Sequence, residues 1–230
     1  MKLSKRLQLL ADVISKYKQG NRLADIGSDH AYLQCYLVEN EIVCHAYACD
    51  VAIGPLESAK DTILQCGLED QVTALLGSGL EPILDKQVDM ISISGMGAYL
   101  ITEILDCHYD YLKNIRVLFL QANANTDHLR SYLFTQNFQI IDEAMVKEGG
   151  HIYEVMVVTK QVGKAITYSK SDIEFGPILS NTRSPLFKEK WQKQYKVFNK
   201  IKVTLPNTHP RYIEIDKKMK MIEEILHESK

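Results

Sequence analysis

The sequence lacks several features that would place it in a specialised class of protein. No apolar run approaches the roughly 18 residues of a membrane-spanning helix, and the N-terminus enters an amphipathic pattern instead of a signal peptide. The five cysteines are odd in number and form no C-x-x-C pair, which argues against a disulfide framework and a zinc site. The seven histidines also lack the spacing of metal ligands. We expect a cytoplasmic protein with reduced thiols.

What the sequence does contain is a globular composition whose charge changes along the chain. Hydrophobic residues make up 46% and charged residues 24% of the 230 residues, enough for a sizeable core. Residues 1–160 hold 13 basic and 21 acidic side chains, whereas residues 161–230 hold 14 and 8. A basic appendage on an acidic body could attract a polyanion, but a solvated lysine-rich helical face explains the pattern equally well.

Short apolar runs alternate with helical patterns in the first part of the chain. The candidate strands are 22–27, 45–50, 72–77, 88–94 and 116–121, and the candidate helices are 31–39, 55–66, 98–106 and 126–136. This alternation predicts a mostly parallel sheet covered by helices on both faces. Two further β-rich runs, 138–146 and 151–159, predict an antiparallel hairpin. The predicted fold is therefore α/β, a class I Rossmann-like methyltransferase domain with a seven-stranded, mostly parallel sheet.

The pattern changes after residue 160. We predict a methyltransferase domain over 1–160, a linker over 161–183 and an antiparallel, coiled-coil-like helical hairpin over 184–230. Ser184-Pro185 is a favourable helix start, and a break at Leu205-Pro206-Asn207 separates the two helices. In the second helix, apolar side chains recur every three or four positions at Tyr212, Ile215, Met219, Ile222 and Leu226.

The end of the first candidate strand carries the clearest signal for a binding site. Gly27 would let the backbone approach a ligand at the start of a helix. A dinucleotide site needs G-x-G-x-x-G, but Asp29 and Tyr32 occupy the second and third glycine positions. A carboxylate at position 29 would repel a pyrophosphate but not the ammonium and sulfonium groups of S-adenosylmethionine. We therefore predict S-adenosylmethionine as cofactor, bound at this turn by Asp25, Gly27 and Ser28.

Three further strand ends provide candidates, because ligands of doubly wound sheets bind at the carboxyl ends of the strands. Asp50 could accept hydrogen bonds from both hydroxyls of a ribose, or it could cap the helix that follows. Small residues after the third strand leave space for an adenine ring, although a simple turn explains them as well. The predicted cofactor residues at these ends are Asp50, Val51, Gly77, Ser78, Ser94, Gly95 and Met96.

The loop after the fourth strand indicates which atom of a base could be methylated. Enzymes that methylate exocyclic base amines often carry an Asn/Asp-Pro-Pro-aromatic loop here, and Gly95-Met96-Gly97 cannot supply such a grip. If the substrate is a base, a ring nitrogen is the better prediction. After the fifth strand, the amides of Gln121 and Asn123 could read a base edge or cap the next helix.

Together these motifs resemble the TrmK family of tRNA methyltransferases. The resemblance is carried by Ser4-Lys5-Arg6-Leu7, residues 25–33, Asp50-Val51, Gly54-Pro55, Gly95-Met96-Gly97, and segments within 150–154, 175–177 and 184–191. It implies methylation of N1 of adenine 22 in tRNA, with S-adenosylmethionine as cofactor. The implied architecture is a Rossmann-like domain followed by a helical hairpin. The chain has Gln34 and Ala122 where the family has proline, and Ala98 where it often has glycine.

Because N1 of adenine can attack the methyl group directly, the enzyme's task is to orient the reactants. We predict that the catalytic residues are Asp29, which stabilises the charge that develops on the ring or accepts a hydrogen bond from N6, and His30, which shapes the pocket. The predicted substrate-binding residues are Lys5, Arg6, Gln121, Asn123, Lys188, Lys190 and Lys193. The expected partner is tRNA, with no membrane, metal or obligate protein partner.

Two other interpretations remain open at the level of the sequence. A methyltransferase for a small molecule or a protein would leave the basic tail unexplained. A non-enzymatic binding module would place Trp191 and the apolar seam of the hairpin at an interface between chains.

Overall fold

The computed structural model describes residues 1–163 and 166–227, in two compact units. We name them the sheet unit, Met1–Thr167, and the helical unit, Tyr168–Lys230. Residues 164–165 of the predicted linker and residues 228–230 of the predicted hairpin lie outside the described residues. Among the residues that are described, no helix is both long and apolar enough to cross a lipid bilayer.

One sheet organises the described part of the sheet unit. Its strands are β1 (Arg22–Ile26), β2 (His45–Asp50), β3 (Val72–Leu76), β4 (Met90–Met96), β5 (Val117–Ala122), β6 (Phe138–Glu148) and β7 (His151–Lys160). They lie in the order β3-β2-β1-β4-β5-β7-β6. Strands β1 to β5 are parallel, and β7 runs antiparallel to both β5 and β6. The predicted seven-stranded sheet ending in an antiparallel hairpin is therefore confirmed.

Helices cover this sheet, and their caps follow from the local sequence. They are α1 (Lys5–Tyr17), α2 (Tyr32–Glu39), α3 (Ile53–Cys66), α4 (Ala98–Cys107) and α5 (Thr126–Thr135). Helix α1 begins after Ser4, whose hydroxyl accepts a hydrogen bond from the backbone N–H of Leu7 at 3.3 Å. Its buried side chains are Leu10, Ala11, Val13 and Ile14. The apolar stripe of α1 thus packs into the core and fixes the position of the N-terminal segment.

The central strands are buried on both faces, which explains their continuous apolar runs. All six residues of β5 are buried, and so are Met90 to Ile93 of β4. Three polar side chains interrupt this core: Asp25 on β1, Ser92 on β4 and Gln121 on β5. They lie on three adjacent strands, and a second buried polar group, Arg130 with Glu143 and Glu154, lies apart from them on α5, β6 and β7.

The helical unit contains more helix than the sequence predicted. Its helices are α6 (Lys170–Phe175), α7 (Leu179–Thr182), α8 (Pro185–Lys202) and α9 (Pro210–His227). Helices α6 and α7 lie within the predicted linker, and with six and four residues they are too short to show a helical period. Ser169 caps α6, and Phe175 at its end contacts Trp191 of α8 with 4.6 Å between ring centroids.

Helices α8 and α9 form an antiparallel pair. Lys202 at the end of α8 is hydrogen-bonded to Asp216 near the start of α9, and the Tyr195 hydroxyl donates to Glu223 further along α9. The buried stripe of α9 consists of Ile215, Met219, Ile222 and Ile225. The stripe ends at Ile225, three positions after Ile222, and not at the predicted Leu226. Leu226 is half-buried.

Candidate active site

The turn after β1 brings the backbone of two strands together at Gly27. The N–H groups of Gly27 and Ser28 donate to the carbonyl oxygen of Cys49 on β2 at 2.8 and 3.0 Å. Gly27 has a φ of +80°, which favours glycine, and a Cβ at this position would lie 2.1 Å from Cε of Met96. The methyl group of Met96 therefore rests against the bare α-carbon of Gly27.

Two cavities at the carboxyl ends of the strands share Gly27 as a wall. The first cavity has a volume of about 140 Å³, and its predicted site residues are Arg6, Asp25, Gly27, Ser28, Asp29, His30 and Ser94. The second cavity has a volume of about 150 Å³, and its predicted site residues are Gly27, Asp50, Val51, Gly77, Ser78 and Met96. The structure therefore brings together, around one glycine, most of the cofactor and catalytic residues that the sequence indicated.

Asp25 is the most deeply buried acidic group of the first cavity. The Ser92 hydroxyl donates to its Oδ1 at 2.5 Å, and Nε2 of Gln34 donates to its Oδ2 at 2.9 Å. Burial raises the pKa of Asp25 to about 6, while the hydrogen bonds from Ser92 and Gln34 and the charge of Arg6 act in the opposite direction. Asp25 is thus mainly ionised at neutral pH and offers a negative charge to this cavity.

Arg6 connects the first helix to the ends of β4 and β5. Its Nη1 donates to Oε1 of Gln121 at 3.0 Å and to the Ser94 hydroxyl at 3.3 Å. The guanidinium also lies 5.8 Å from the centroid of the Tyr153 ring. Because Arg6 lines the first cavity as well, α1 closes this side of the site.

Gln121 and Asn123 support the end of β4. Oε1 of Gln121 accepts a hydrogen bond from the N–H of Gly95 at 3.1 Å, and its Nε2 donates to Oδ1 of Asn123 at 3.1 Å. Nδ2 of Asn123 then donates to the carbonyl oxygen of Gly95 at 2.6 Å. Gly95 has a φ of +81° and lies where the β4–β5 register shifts, so the two amides hold a glycine bulge. The buried Gln121 supports the site from behind, whereas Asn123 is exposed.

Asp29 and His30 form the outer part of the first cavity. The Asp29 side chain is 74% exposed, and its Oδ2 lies 3.5 Å from Nε2 of His30. The His30 ring is stacked on the Tyr32 ring with 5.1 Å between centroids and 17° between planes. The next residue after His30, Ala31, takes a left-handed conformation with a φ of +53°. This bend directs the chain from the turn into α2 and leaves a carboxylate and two stacked rings at the surface.

Asp50 combines the two roles that the sequence left open. Its Oδ1 accepts a hydrogen bond from the N–H of Ala52 at 2.8 Å, directly before α3 begins. Its side chain also lines the second cavity, together with Val51 and the small residues after β3. The local turn therefore restricts the orientation of a carboxylate at the border of the second cavity.

The remaining predicted residues lie elsewhere. Lys5 is exposed, and its backbone N–H donates to Oε1 of Glu148 at 2.6 Å, so Lys5 belongs to the start of α1. Lys188, Lys190 and Lys193 lie on α8 of the helical unit. Lys188 and Lys193 are exposed, while the Lys190 ammonium lies 4.8 Å from the centroid of the Trp191 indole.

Several residues of this region were not among the predicted site residues. Gln34 and Ser92 bind Asp25, and Leu100 and Ile104 of α4 line the second cavity. Ser92 could have been noticed as a polar residue within an apolar strand, and Leu100 and Ile104 as an apolar pair four residues apart. Gln34 stands out in the sequence only as a departure from the family, because its contact with Asp25 depends on the folded turn.

The donor set fits S-adenosylmethionine. The two cavities present the carboxyl groups of Asp25 and Asp50, which suit an ammonium group and a ribose diol, and Asp29 adds a third carboxylate at the outer part of the first cavity. The same carboxylates would repel a pyrophosphate. Leu100 and Ile104 add an apolar wall on which an adenine ring can pack.

The strand order and the cavities at the carboxyl ends of β1, β2 and β4 define a class I Rossmann-like methyltransferase. The family model TrmK, described as tRNA (adenine(22)-N(1))-methyltransferase, matches residues 23–224. The chain belongs to this TrmK family.

Individual relatives agree with this assignment. The tRNA (adenine(22)-N(1))-methyltransferase of Bacillus subtilis (strain 168) is 38% identical over 198 residues, which cover 84% of this chain and 82% of that protein. A Streptococcus pneumoniae protein crystallised in complex with S-adenosyl-L-methionine is 37% identical and has a TM-score of 0.89, covering 98% of this chain and 100% of that one. TrmK of M. capricolum in complex with S-adenosyl-homocysteine is 28% identical, with a TM-score of 0.86 and 98% of each chain covered.

Proposed function

We propose that this chain transfers the methyl group of S-adenosylmethionine to N1 of adenine 22 in tRNA. The observation that carries the proposal is the junction of two carboxylate-lined cavities at Gly27, in a chain of the TrmK family. A B. subtilis relative is a tRNA (adenine(22)-N(1))-methyltransferase, and the S. pneumoniae relative binds S-adenosyl-L-methionine. Both the reaction and the cofactor follow from this combination of family and site.

The chain's own residues divide the cofactor site into two parts. Asp50 would accept hydrogen bonds from the ribose hydroxyls in the second cavity, where Leu100 and Ile104 provide an apolar wall. Asp25 and Ser28 would bind the methionine end in the first cavity. Bound there, S-adenosylmethionine supplies an electrophilic methyl group on a positively charged sulfur.

Asp29 is the residue that we assign to the reacting base. As the N1 lone pair forms the new N–C bond, the electrons of the breaking C–S bond move to sulfur, and the positive charge passes to the adenine ring. A carboxylate that is 74% exposed, at the outer part of the first cavity, can stabilise this charge or accept a hydrogen bond from N6. Proton removal is not required before the attack, because N1 of neutral adenine already carries a lone pair.

The target base must be unpaired or turned out of its helix, because pairing hides N1. The stacked rings of His30 and Tyr32 provide a flat surface beside Asp29 on which such a base can lie. In the neighbouring loop, a Cβ at Gly97 would meet no atom within 4 Å, so this position faces open space. These features favour a planar substrate presented edge-on to the cofactor.

The helical unit is our candidate for contacts with the rest of the tRNA. Its residues 168–230 hold 13 basic and 8 acidic side chains, and Lys188 and Lys193 on α8 are exposed. Phosphate contacts from lysines give affinity without sequence specificity, which is the role that a tRNA-binding appendage would need.

The direct test is a methylation assay on unmodified tRNA transcripts with methyl-labelled S-adenosylmethionine, followed by nucleoside mass spectrometry and mapping. We expect label in 1-methyladenosine at position 22, and loss of that label when adenine 22 is replaced by guanine. Transfer to another position, or to no tRNA despite cofactor binding, would contradict the proposed substrate.

A further inference from the structure

Gln34 is a fully buried amide in the first turn of α2, with 0% of its surface exposed. Its Nε2 donates two hydrogen bonds, to Oδ2 of Asp25 at 2.9 Å and to the hydroxyl oxygen of Ser28 at 2.6 Å. All three residues line the first cavity. The amide therefore joins a carboxylate and a hydroxyl of one proposed cofactor site.

The other end of the same amide is without a partner. Within residues 1–163 and 166–227, Oε1 of Gln34 is buried and has no hydrogen-bond partner. Leaving a buried acceptor unsatisfied costs free energy, so its presence calls for an explanation. Rotating the amide by 180° would direct Oε1 at the Asp25 carboxylate and replace an attraction with a repulsion. The two donated hydrogen bonds thus determine which way the amide points.

Asp25 depends on these donors because it is a buried carboxyl group. Ser92, Gln34 and Ser28 stabilise its ionised form by hydrogen bonding, and Arg6 of α1 stabilises it by its charge. The Cys49 thiol of β2 is a titratable group that interacts electrostatically with Asp25. Among these groups, Gln34 contacts both Asp25 and Ser28 and thereby fixes their relative position.

We propose that Gln34 is a positioning residue for cofactor binding, which holds the Asp25 carboxylate and the Ser28 hydroxyl in the arrangement that accepts the ammonium group at the methionine end of the cofactor. The inference rests on the proposed function, since it takes S-adenosylmethionine as the ligand of the first cavity. It assigns Gln34 a role in cofactor affinity that a purely structural residue would not have. The donors of this amide keep a buried acid ionised and oriented.

The first test is Gln34→Met, which keeps the length and volume of the side chain and removes its donors and the orphaned oxygen. We expect the Kd for S-adenosylmethionine in isothermal titration calorimetry to rise by about tenfold, and the melting temperature at neutral pH to fall slightly, because a buried carboxylate loses a donor. Because Asp25 loses a donor, its pKa should rise further, and the loss of affinity at acidic pH should begin at a higher pH than in the wild type.

The chain provides a matched control at Gln8. Its Nε2 also donates to a carboxylate and a hydroxyl, Asp12 at 2.9 Å and Tyr36 at 3.2 Å, between α1 and α2. Gln8→Met should leave the Kd and its pH profile unchanged, because this amide is outside the residues that line the first cavity.

A second variant, Gln34→Glu, keeps the shape of the side chain but brings a second acid to Asp25. We expect weak binding at about pH 8 and recovery toward about pH 6, where the introduced carboxyl group would be protonated and could again donate to Asp25. The wild type should show no such recovery.

The outcomes separate this inference from the function on which it rests. Failure of the wild type to bind S-adenosylmethionine would overturn the proposed function, and this inference with it. Normal binding by the wild type together with an unchanged Kd in Gln34→Met would overturn the role of Gln34 alone. A fall in melting temperature with no change in pH profile would make Gln34 a structural residue and also overturn the inference.

Discussion

The guanidinium of Arg6 donates a hydrogen bond of 3.0 Å to Oε1 of Gln121, across 115 positions of the sequence. The same oxygen accepts the N–H of Gly95, so one amide joins the first helix to the bulge at the end of β4. This contact makes α1 a part of the candidate active site. The N-terminal segment consequently contributes to the geometry of the site as well as to the core.

Replacing Arg6 with methionine should lower turnover more than it lowers the stability of the fold. The substitution removes a charge that stabilises ionised Asp25 and leaves Oε1 of Gln121 with fewer donors. Hydrogen bonds from charged groups contribute about 1.5–3 kcal/mol, so we expect turnover to fall by about tenfold or more. Kinetics with tRNA measure the loss, and the exposed Lys2→Met serves as a control that removes one charge from the same segment. Unchanged kinetics in Arg6→Met would contradict the inclusion of Arg6 and α1 in the active site.

Asp29→Asn should separate chemistry from cofactor binding. Asp29 is exposed at the outer part of the first cavity, so the variant should fold normally. We expect kcat to fall by about a hundredfold while the Kd for S-adenosylmethionine changes less than about threefold, because the lost charge acts on the developing adenine cation. Equal losses in Kd and turnover would instead make Asp29 a ligand of the cofactor.

Asp50→Asn distinguishes the two roles of Asp50. Asparagine keeps an oxygen that can accept the hydrogen bond from the Ala52 N–H, so the start of α3 should remain intact. It lacks the charge and one acceptor that a ribose diol would use. We expect an unchanged melting temperature and a Kd for S-adenosylmethionine that rises by about tenfold. A fall in melting temperature with an unchanged Kd would mean that Asp50 only stabilises the start of α3 and does not bind the cofactor.

Substituting Lys188, Lys190 and Lys193 together with glutamine should weaken tRNA binding in a salt-dependent way. Each phosphate contact that is lost should lower the slope of log Kd against log salt concentration by about 0.7–0.9. Binding titrations at several salt concentrations measure this slope. A matched variant with glutamine at Lys18, Lys60 and Lys113 removes the same charge from the sheet unit. Equal slopes in the two variants would mean that α8 has no special role.

Arg130→Met should destabilise the sheet unit strongly. Arg130 is fully buried, and its Nη2 lies 2.8 Å from Oε1 of Glu143 and 3.0 Å from Oε2 of Glu154. Removing the cation leaves two buried carboxyl groups, and we expect the free energy of unfolding to fall by about 3–5 kcal/mol.

The pH dependence of that variant provides the control. Carboxyl groups without Arg130 should have raised pKa values, so the folded state would bind more protons than the unfolded state above about pH 4. Stability lost at neutral pH should therefore be partly regained on acidification. Denaturant unfolding at several pH values measures the difference in the free energy of unfolding between the wild type and the variant. A difference that does not change with pH would contradict the electrostatic explanation.

The strands and main helices could be predicted because each is long enough to show its period. Strand β5 opens with an apolar run over residues 117–120, and α1 carries an apolar stripe. Helices α6 and α7 escaped prediction because short helices are stabilised by tertiary contacts such as that of Phe175 with Trp191. Gly27 was predictable from its place after a strand, since a turn at that point requires a left-handed residue.

The sequence could predict which residues of the site lie at strand ends, but not which side chains of different strands and helices contact each other. Asp25, Asp29 and Asp50 each follow or end a strand, so topology alone places them at one edge of the sheet. The sequence left open whether Gln121 reads a base edge or caps a helix, and in the structure its amide supports Gly95 and accepts from Arg6. Such side-chain pairings depend on register and helix rotation, which periodicity does not specify.

The contact between Met96 and Gly27 gives the two cavities a movable boundary. A molecule that extends from one cavity into the other crosses Gly27 and meets the thioether methyl of Met96. Methionine is unbranched and rotates easily, so this boundary can yield without a shift of the backbone. The NMR signal of the Met96 methyl group should therefore change when a ligand occupies both cavities. It would show directly whether the two cavities are joined or separated at Gly27.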